Sequence, residues 1–162
     1  VFGSPKNRLL ESYNYDKAFG LAVHFFKEIG EILSGNDLVF CIEPNAKGYG
    51  CNFINNTKEA INLIKAVNHP NFKLNLDTST LLMNGENIRD SIIMANELIY
   101  HFHLSAPYLE NLSEEQMDYK MINMALNEIG YRDVVSVEMK KPNNTNIEHI
   151  KVCLRIFNEY FN

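Results

Sequence analysis

LVFCIEPN at residues 38–45 is an apolar, strand-like run that ends on a potential metal ligand, Glu43. Three later stretches repeat this arrangement: FKLNLDTST at 72–80, LIYHFHLSAP at 98–107 and VVSVEMK at 134–140. Their corresponding ligands are Asp77, His103 and Glu138. Three carboxylates and an imidazole at equivalent places in successive units predict one shared metal site.

Alternation along each run predicts two chemically different faces of a sheet. Strand side chains alternate, so the residue two positions before each ligand shares its face. These residues are small or polar: Cys41, Asn75, His101 and Ser136. The remaining positions form an apolar face: Phe40, Ile42, Leu74, Leu76, Phe102, Leu104, Val135 and Val137. A parallel barrel wrapped in helices requires an apolar outer face of this kind.

Helical periodicity separates the strand-like runs. Apolar residues recur at helical spacing in five segments: 16–33, 57–67, 86–97, 113–129 and 147–161. Ser113 and Gln116 resemble a capping box at the start of the fourth segment. With VFGSPKNR at 1–8 read as a strand, the pattern predicts five strands alternating with five helices, hence a parallel α/β sheet.

A closed (β/α)8 TIM barrel needs eight such units and about 250 residues. The chain of 162 residues is therefore expected to form one partial TIM-barrel domain, 1–162, containing the last five βα units. The opening residues begin like the middle of a strand, which predicts missing upstream sequence. An open remnant would expose apolar edges, so we expect a larger molecule or a homodimer in which two copies cover each other's open faces.

Composition and net charge limit the classes of partner that this chain is expected to bind. The net charge of −5, with no basic block, argues against a nucleic-acid partner and favours a small-molecule substrate. No apolar stretch is long enough to cross a membrane, and no secretory signal opens the chain. Three cysteines without paired spacing indicate a reducing, cytoplasmic setting.

The four strand-end ligands predict a particular chemistry. Three oxygens and one nitrogen are a mostly hard set that favours Mn²⁺ or Mg²⁺ and is compatible with Zn²⁺ or Co²⁺. Glu43 and Glu138 come from strands far apart around the ring, so each carboxylate could reach a carbon-bound proton from an opposite side. Proton transfer beside a carbonyl, through an enediolate, is aldose–ketose isomerisation or epimerisation. His101 is either a buried structural histidine or a substrate contact.

EPNAKGYGCNF at 43–53, followed by LDT, HFH and VSVEM, resembles the xylose isomerase-like TIM-barrel superfamily, particularly its sugar phosphate isomerase/epimerase branch. The resemblance implies that Glu43, Asp77, His103 and Glu138 bind a divalent metal. It also implies that Glu43 and Glu138 are the acid/base pair of a carbohydrate isomerase or epimerase. The segment GSPKNR at 3–8 resembles the fourth strand of that family, which places Ser4, Lys6 and Arg8 near the barrel mouth.

The chain departs from the family pattern in two places. Thr80 stands where members often have a histidine, and the segment 105–108 replaces an acidic or arginine-bearing one. These departures leave the substrate open. Three further residues are candidates for substrate contacts, each with an ordinary alternative. An asparagine after proline, such as Asn45, commonly shapes a turn, and charges such as Lys6 and Arg8 are more commonly solvated in loops.

Two other functions compete with the isomerase hypothesis. One is a non-catalytic binding module that keeps the barrel shape. The other is a phosphodiesterase resembling endonuclease IV, whose zinc cluster needs more ligands than this chain supplies. The remaining histidines fall on helices or helix ends: His24, His69 and His149. The acidic balance also opposes DNA binding.

Overall fold

The computed structural model describes residues 1–12, 14–140 and 147–161. Its sheet has four parallel strands in the order β1-β2-β3-β4, which is also their order along the chain. The strands are β1 (Phe40–Ile42), β2 (Phe72–Asp77), β3 (Ile99–Leu104) and β4 (Val134–Val137). Parallel neighbours joined by helical crossovers are the units of a TIM barrel, so the predicted fold class, a partial barrel of this type, is confirmed.

Six α-helices cover this sheet within the described ranges. They are α1 (Tyr15–Leu33), α2 (Thr57–Val67), α3 (Thr78–Asn84), α4 (Ile88–Ala95), α5 (Tyr119–Glu128) and α6 (Ile147–Tyr160). Neighbouring helices pack against one another in sequence, α1 on α2 and α4 on α5 on α6. None of the helices in the described part of the chain is long and apolar enough to cross a membrane.

The apolar face predicted for the strands is the core. Phe40, Ile42, Leu74, Leu76, Phe102 and Leu104 are all buried against the helices. Phe26 of α1 stacks on Phe72 with ring centroids 4.6 Å apart, and Phe72 stacks on Phe40 at 4.9 Å. This apolar packing leaves the alternating side chains of β1 to β4 on the other face, where the predicted ligands lie.

The opening residues differ from the predicted fifth strand. Only Phe2 pairs with the sheet, through an isolated parallel bridge to Ile42. Pro5–Asn7 then forms a short 3-10 turn, because proline has no backbone N–H for a ladder and holds its φ near helical values. The prediction of a fifth strand over 1–8 is therefore wrong beyond this one bridge.

Helix boundaries were set by caps that the periodicity did not reveal. The helix expected over 113–129 begins at Tyr119, because the Asp118 side chain accepts a hydrogen bond from the Met121 N–H at 2.8 Å. Gln116 Oε1 does accept from the Ser113 N–H at 3.4 Å, but this pair lies in a turn before the helix. The helix expected over 86–97 is the shorter α4, and a 3-10 turn, Asn96–Leu98, follows it.

Helix α3 was not expected at all. Asp77 ends β2 and also caps α3, since its Oδ1 accepts from the Thr80 N–H at 3.1 Å. The segment Thr78–Asn84 is only seven residues long and follows the strand with no intervening loop, so no separate periodic pattern marks it. The consequence is that one of the predicted ligands is held by a helix as well as by a strand.

Candidate metal centre

The four predicted ligands meet at the carboxyl end of the sheet. Glu43, Asp77, His103 and Glu138 each offer one atom, and these atoms all lie within 4.8 Å of one another. They converge because the register pairs Asp77 directly with His103 and His103 with Ser136, two residues before Glu138. The group is the one candidate metal cluster among the residues that the structure describes.

His103 lies at the centre of the cluster. Its Nδ1 is 3.0 Å from Glu43 Oε1, 3.3 Å from Glu138 Oε2 and 3.6 Å from Asp77 Oδ2. Burial lowers the pKa of His103, but hydrogen bonds that the imidazole donates to the carboxylates of Asp77, Glu138 and Glu43 outweigh it and raise the pKa to about 11. In the absence of a metal ion, a protonated His103 therefore offsets part of the negative charge of the three carboxylates.

The two glutamates have different surroundings. Glu43 is buried, and desolvation raises its pKa despite a hydrogen bond to His103. The Glu138 side chain is 45% exposed, and its hydrogen bond to His103 lowers its pKa. The same imidazole thus faces one carboxylate that is costly to ionise and one that ionises readily.

Asp77 is held by hydrogen bonds on both oxygens. Ser105 Oγ lies 2.8 Å from Oδ1 and 2.7 Å from Oδ2, and the Thr80 N–H donates to Oδ1. Thr80 Oγ1 donates to the Pro44 carbonyl at 3.0 Å and joins α3 to the loop after β1. Sequence reasoning missed Ser105. The signal was available, because Ser105 continues the alternation that places His103 on the site face.

A second polar layer lies beneath the ligands. Asn75 Nδ2 is 2.7 Å from Glu43 Oε1 and 3.2 Å from His103 Nδ1. His101 Nε2 is 2.8 Å from Ser136 Oγ, and its ring meets the His103 ring edge-on at 4.9 Å. Burial and then the charge of His103 lower the pKa of His101, which favours the neutral imidazole. His101 thus supports the layer above it, and its role as a substrate contact stays a prediction.

The other three predicted substrate contacts differ in their burial and in whether they line the cavity above the ligands. Asn45 lines the cavity above the ligands, but its Nδ2 donates to the Gly3 carbonyl at 2.8 Å and to the Glu43 carbonyl at 3.1 Å. The Arg8 guanidinium is buried and donates to the backbone carbonyls of Phe2 and Glu43. Lys6 is exposed on the 3-10 turn and does not line this cavity. Among the four predicted contacts, only Asn45 lines the cavity.

The cavity over the ligands has a volume of about 430 Å³. Tyr49 and Leu109 form part of its wall. Tyr49 Oη lies 2.5 Å from Ser79 Oγ and accepts from the Tyr108 N–H at 3.0 Å. Tyr49 therefore joins α3 to the loop after β3 and gives the mouth of the cavity a defined wall.

The donor set fits a divalent cation. Two ligands on opposite sides of one ion are separated by about 4.4 Å when each bond is about 2.2 Å, so a cluster within 4.8 Å needs only small side-chain shifts to close. The oxygen-rich set is suited to a hard or borderline ion. Glu43, Asp77, His103 and Glu138 could hold it, and its identity is left open by this geometry.

The chain belongs to the xylose isomerase-like TIM barrel family, whose profile matches residues 3–156. Three of the solved structures that share its fold illustrate the range of similar proteins. The first is a D-psicose 3-epimerase crystallised with D-fructose, with a TM-score of 0.73, 23% identity, and coverage of 88% of this chain and 50% of that one. An "AP endonuclease, family 2" from Brucella melitensis has a TM-score of 0.81 at 21% identity, covering 94% and 58% of the two chains.

The third structure is an IolI protein with a bound zinc atom, with a TM-score of 0.74 and 24% identity. The match covers 95% of this chain and 61% of that one. The present sequence thus spans between 50% and 61% of the length of these three chains. At these identities the likeness shows the fold, while the family itself is established by the profile match.

Proposed function

We propose that this chain supplies the catalytic half of a metal-dependent sugar or sugar-phosphate isomerase or epimerase. The observation that carries the proposal is the meeting of two glutamates, an aspartate and a histidine within 4.8 Å at the carboxyl ends of four parallel strands. That end is where TIM-barrel enzymes assemble their reactive groups. The D-psicose 3-epimerase that shares this fold gives the reaction class a precedent.

Each residue has a distinct proposed role. A bound divalent cation would polarise the substrate carbonyl and hydroxyl oxygens and stabilise the negative charge of an enediolate. Asp77 and His103 would principally hold this ion. Glu43 and Glu138 would also move protons: one carboxylate takes the proton from the carbon beside the carbonyl, and a carboxylic acid returns a proton to complete the exchange.

Glu43 and Glu138 are suited to proton transfer because they lie at the two ends of the ligand set. Glu43 follows β1 and Glu138 follows β4, so the two carboxylates approach the cavity from opposite ends of the sheet. A substrate carbon between them is accessible to either group. Isomerisation results when the proton returns to the same face but at the neighbouring carbon. Epimerisation results when a proton returns to the original carbon from the opposite face.

A phosphodiesterase of the endonuclease type is less well supported. Such chemistry needs additional metal ligands, and the other histidines of the described ranges lie elsewhere. His24 pairs with Glu28 on the exposed side of α1, His69 packs against Gly30, and His149 contacts Asn111. The net charge of −5 also disfavours a polyanionic substrate.

The proposal is tested with the full polypeptide that carries this sequence. We expect Mn²⁺ or Mg²⁺ to raise its melting temperature, and deuterium from the solvent to enter a ketose substrate at the carbon beside the carbonyl. The Glu138→Gln variant should exchange deuterium far more slowly even at an Mn²⁺ concentration that saturates its weakened site. Binding without exchange across a panel of ketoses and ketose phosphates would leave a metal-binding module, and no binding of Mn²⁺, Mg²⁺, Co²⁺ or Zn²⁺ would refute the metal site.

A further inference from the structure

The Glu43 carboxylate is enclosed on both oxygens by residues that no metal-binding pattern singles out. On one side, Asn75 Nδ2 lies 2.7 Å from Glu43 Oε1. On the other, a Cβ built on Gly3 would approach Glu43 Oε2 to much less than the 3.0 Å that real Cβ atoms respect. The side chain therefore has an amide donor on one oxygen and bare backbone against the other.

Gly3 is anchored beside Glu43 by backbone pairing. The Phe2 N–H donates to the Cys41 carbonyl at 2.7 Å, and the Glu43 N–H donates to the Phe2 carbonyl at 3.3 Å. The Gly3 carbonyl also accepts from Asn45 Nδ2 at 2.8 Å. Since the backbone on either side of Gly3 is held, a methyl group there would displace the Glu43 carboxylate more easily than the main chain.

The hydrogen bonding of Asn75 is incomplete, which is not expected of a residue that only stabilises the fold. It is fully buried, and its Oδ1 has no partner among the described residues. A buried carbonyl oxygen without a donor costs free energy. Exchanging the amide nitrogen and oxygen would not help, because it would place an acceptor 2.7 Å from a carboxylate oxygen of Glu43. The use of Asn75 is thus its amide N–H, which faces Glu43 Oε1.

We infer that Gly3 and Asn75 are positioning residues that together hold the Glu43 carboxylate in one orientation. Asn75 binds Oε1 from beneath, and Gly3 admits Oε2 into space that any other residue would fill. Neither residue belongs to the cluster of four candidate ligands. The effect is to keep Glu43 directed into the ligand cluster despite a burial that disfavours its charged form. This inference rests on the proposed metal site, and its activity readout rests on the proposed isomerase or epimerase function as well.

Four alanine variants in the full polypeptide test it. Gly3→Ala and Asn75→Ala remove the two supports. Gly20→Ala is the control for the first, because nothing lies within 4 Å of a Cβ at Gly20 on α1. Asn84→Ala is the control for the second, because Asn84 Nδ2 also donates to a glutamate, Glu86, at 2.7 Å, but outside the metal cavity.

The primary readout is the Mn²⁺ dissociation constant measured by calorimetry, and the second is the split between kcat and KM for deuterium exchange. We expect Gly3→Ala and Asn75→Ala to weaken Mn²⁺ binding by about 10- to 100-fold, the range for partners that orient a metal ligand. Exchange at saturating Mn²⁺ should lose kcat with little change in KM. Both control variants should stay within about twofold of the unmodified protein in Mn²⁺ binding.

The outcomes separate this inference from the proposed function. Wild-type Mn²⁺ affinity in both Gly3→Ala and Asn75→Ala, with only a lower melting temperature, would overturn the positioning role. If Gly3→Ala does not fold, Asn75→Ala decides the question alone. Mn²⁺ binding without exchange in the unmodified protein would refute the isomerase proposal, while the affinities of the variants would still decide the positioning role. Failure of the unmodified protein to bind Mn²⁺ would overturn both.

Discussion

The two ends of the sheet support their glutamates very differently. At the β1 end, Glu43 is buried, the opening residues bridge to the strand, and Arg8 donates to backbone carbonyls on both sides of that bridge. At the β4 end, Glu138 is half exposed and Val134 is 58% exposed on an uncovered strand. This difference shows that the Glu43 half of the metal centre is preorganised by this chain alone, whereas the Glu138 half borders the open side of the barrel.

The largest expected effect concerns the two glutamates. Glu43→Gln and Glu138→Gln should each reduce deuterium exchange by about 10² to 10⁴-fold, the usual contribution of a general acid or base. Their effects on the metal-free protein should differ in sign. Burial raises the pKa of Glu43, so its charge costs stability at neutral pH, and Glu43→Gln should raise the melting temperature.

The opposite sign applies to Glu138. Its pKa is lowered by His103, so its charge contributes stability that is present above the unfolded pKa and is lost as pH falls through the folded value. Glu138→Gln should therefore lower the melting temperature slightly at pH 7, since the pair is partly solvated. Equal shifts of the same sign in both variants would contradict the difference between the two ends.

The second largest expected effect concerns Asp77, whose contributions to metal binding and to helix capping can be measured separately. Asp77→Asn should weaken Mn²⁺ binding by more than the roughly 100-fold seen for outer partners, because it removes a charged ligand. Asparagine caps helices as well as aspartate does, so α3 should remain. Asp77→Ala should lose a similar amount of affinity and in addition about 1 kcal/mol of folding stability. Denaturant titration and calorimetry on both variants measure the two losses, and identical stabilities would argue against the cap.

A third effect is the release of a proton from His103 on metal binding. The free imidazole, with a pKa of about 11, is protonated at neutral pH and must lose that proton to become a ligand. Calorimetry in two buffers of different ionisation enthalpy should show about one proton released per Mn²⁺, and affinity should rise about tenfold per pH unit between pH 6 and 8. Release of no proton would mean that His103 is not a ligand.

The protonation of His103 also determines how the stability of the metal-free protein is expected to depend on pH. The His103 pKa is raised above its unfolded value, so the stability that it contributes is fully present below about pH 6.5. That contribution is lost progressively as pH rises to about 11. Thermal unfolding from pH 6 to 9 in the presence of a chelator measures it, and Mn²⁺ at saturation should remove or reverse the trend.

The smallest expected effect concerns the uncovered edge. Val134→Lys should change the stability of an isolated chain by no more than about 0.5 kcal/mol, because this position is exposed. Ile42→Val at the covered edge should cost about 0.5–1.5 kcal/mol. A homodimer was one of the two arrangements that the sequence led us to expect. If a second copy covers the β4 edge, Val134→Lys should also shift the protein towards monomer in sedimentation. A loss of more than 1.5 kcal/mol without any change of mass would show that the edge is packed within one molecule.

The sequence predicted the strands and the meeting of the four candidate ligands more accurately than the connections. Alternation of apolar and polar positions around Asp77 and His103 is a local signal with a period of two, and burial of one face makes it strict. Helix α3 and the late start of α5 escaped prediction because single capping hydrogen bonds decided them. The opening strand failed because Pro5 ends the pairing after Phe2.

Among site residues, the sequence identified those whose chemistry is visible in the side chain. Ser105 was not identified, although the alternation places it on the same face as His103, and Gly3 was not identified because a glycine in a loop is common everywhere. Arg8 was predicted either to contact the substrate or to be a solvated loop charge. Its buried guanidinium donates to backbone carbonyls that lie together only in the folded chain. Contacts over 35 positions of sequence, such as that from Arg8 to Glu43, have no local signature.

By itself, the sequence determined the family, the parallel βα order and four metal-ligand candidates, since these depend on periodicity and residue type. Only the tertiary structure decided that His103 Nδ1 is central, that Asp77 also caps a helix, and that Gly3 and Asn75 enclose Glu43. The physical reason is that side-chain orientation depends on which neighbours fill the surrounding space. Those neighbours come from β1, β2, β3 and the opening residues, which are brought together by packing rather than by proximity in the chain.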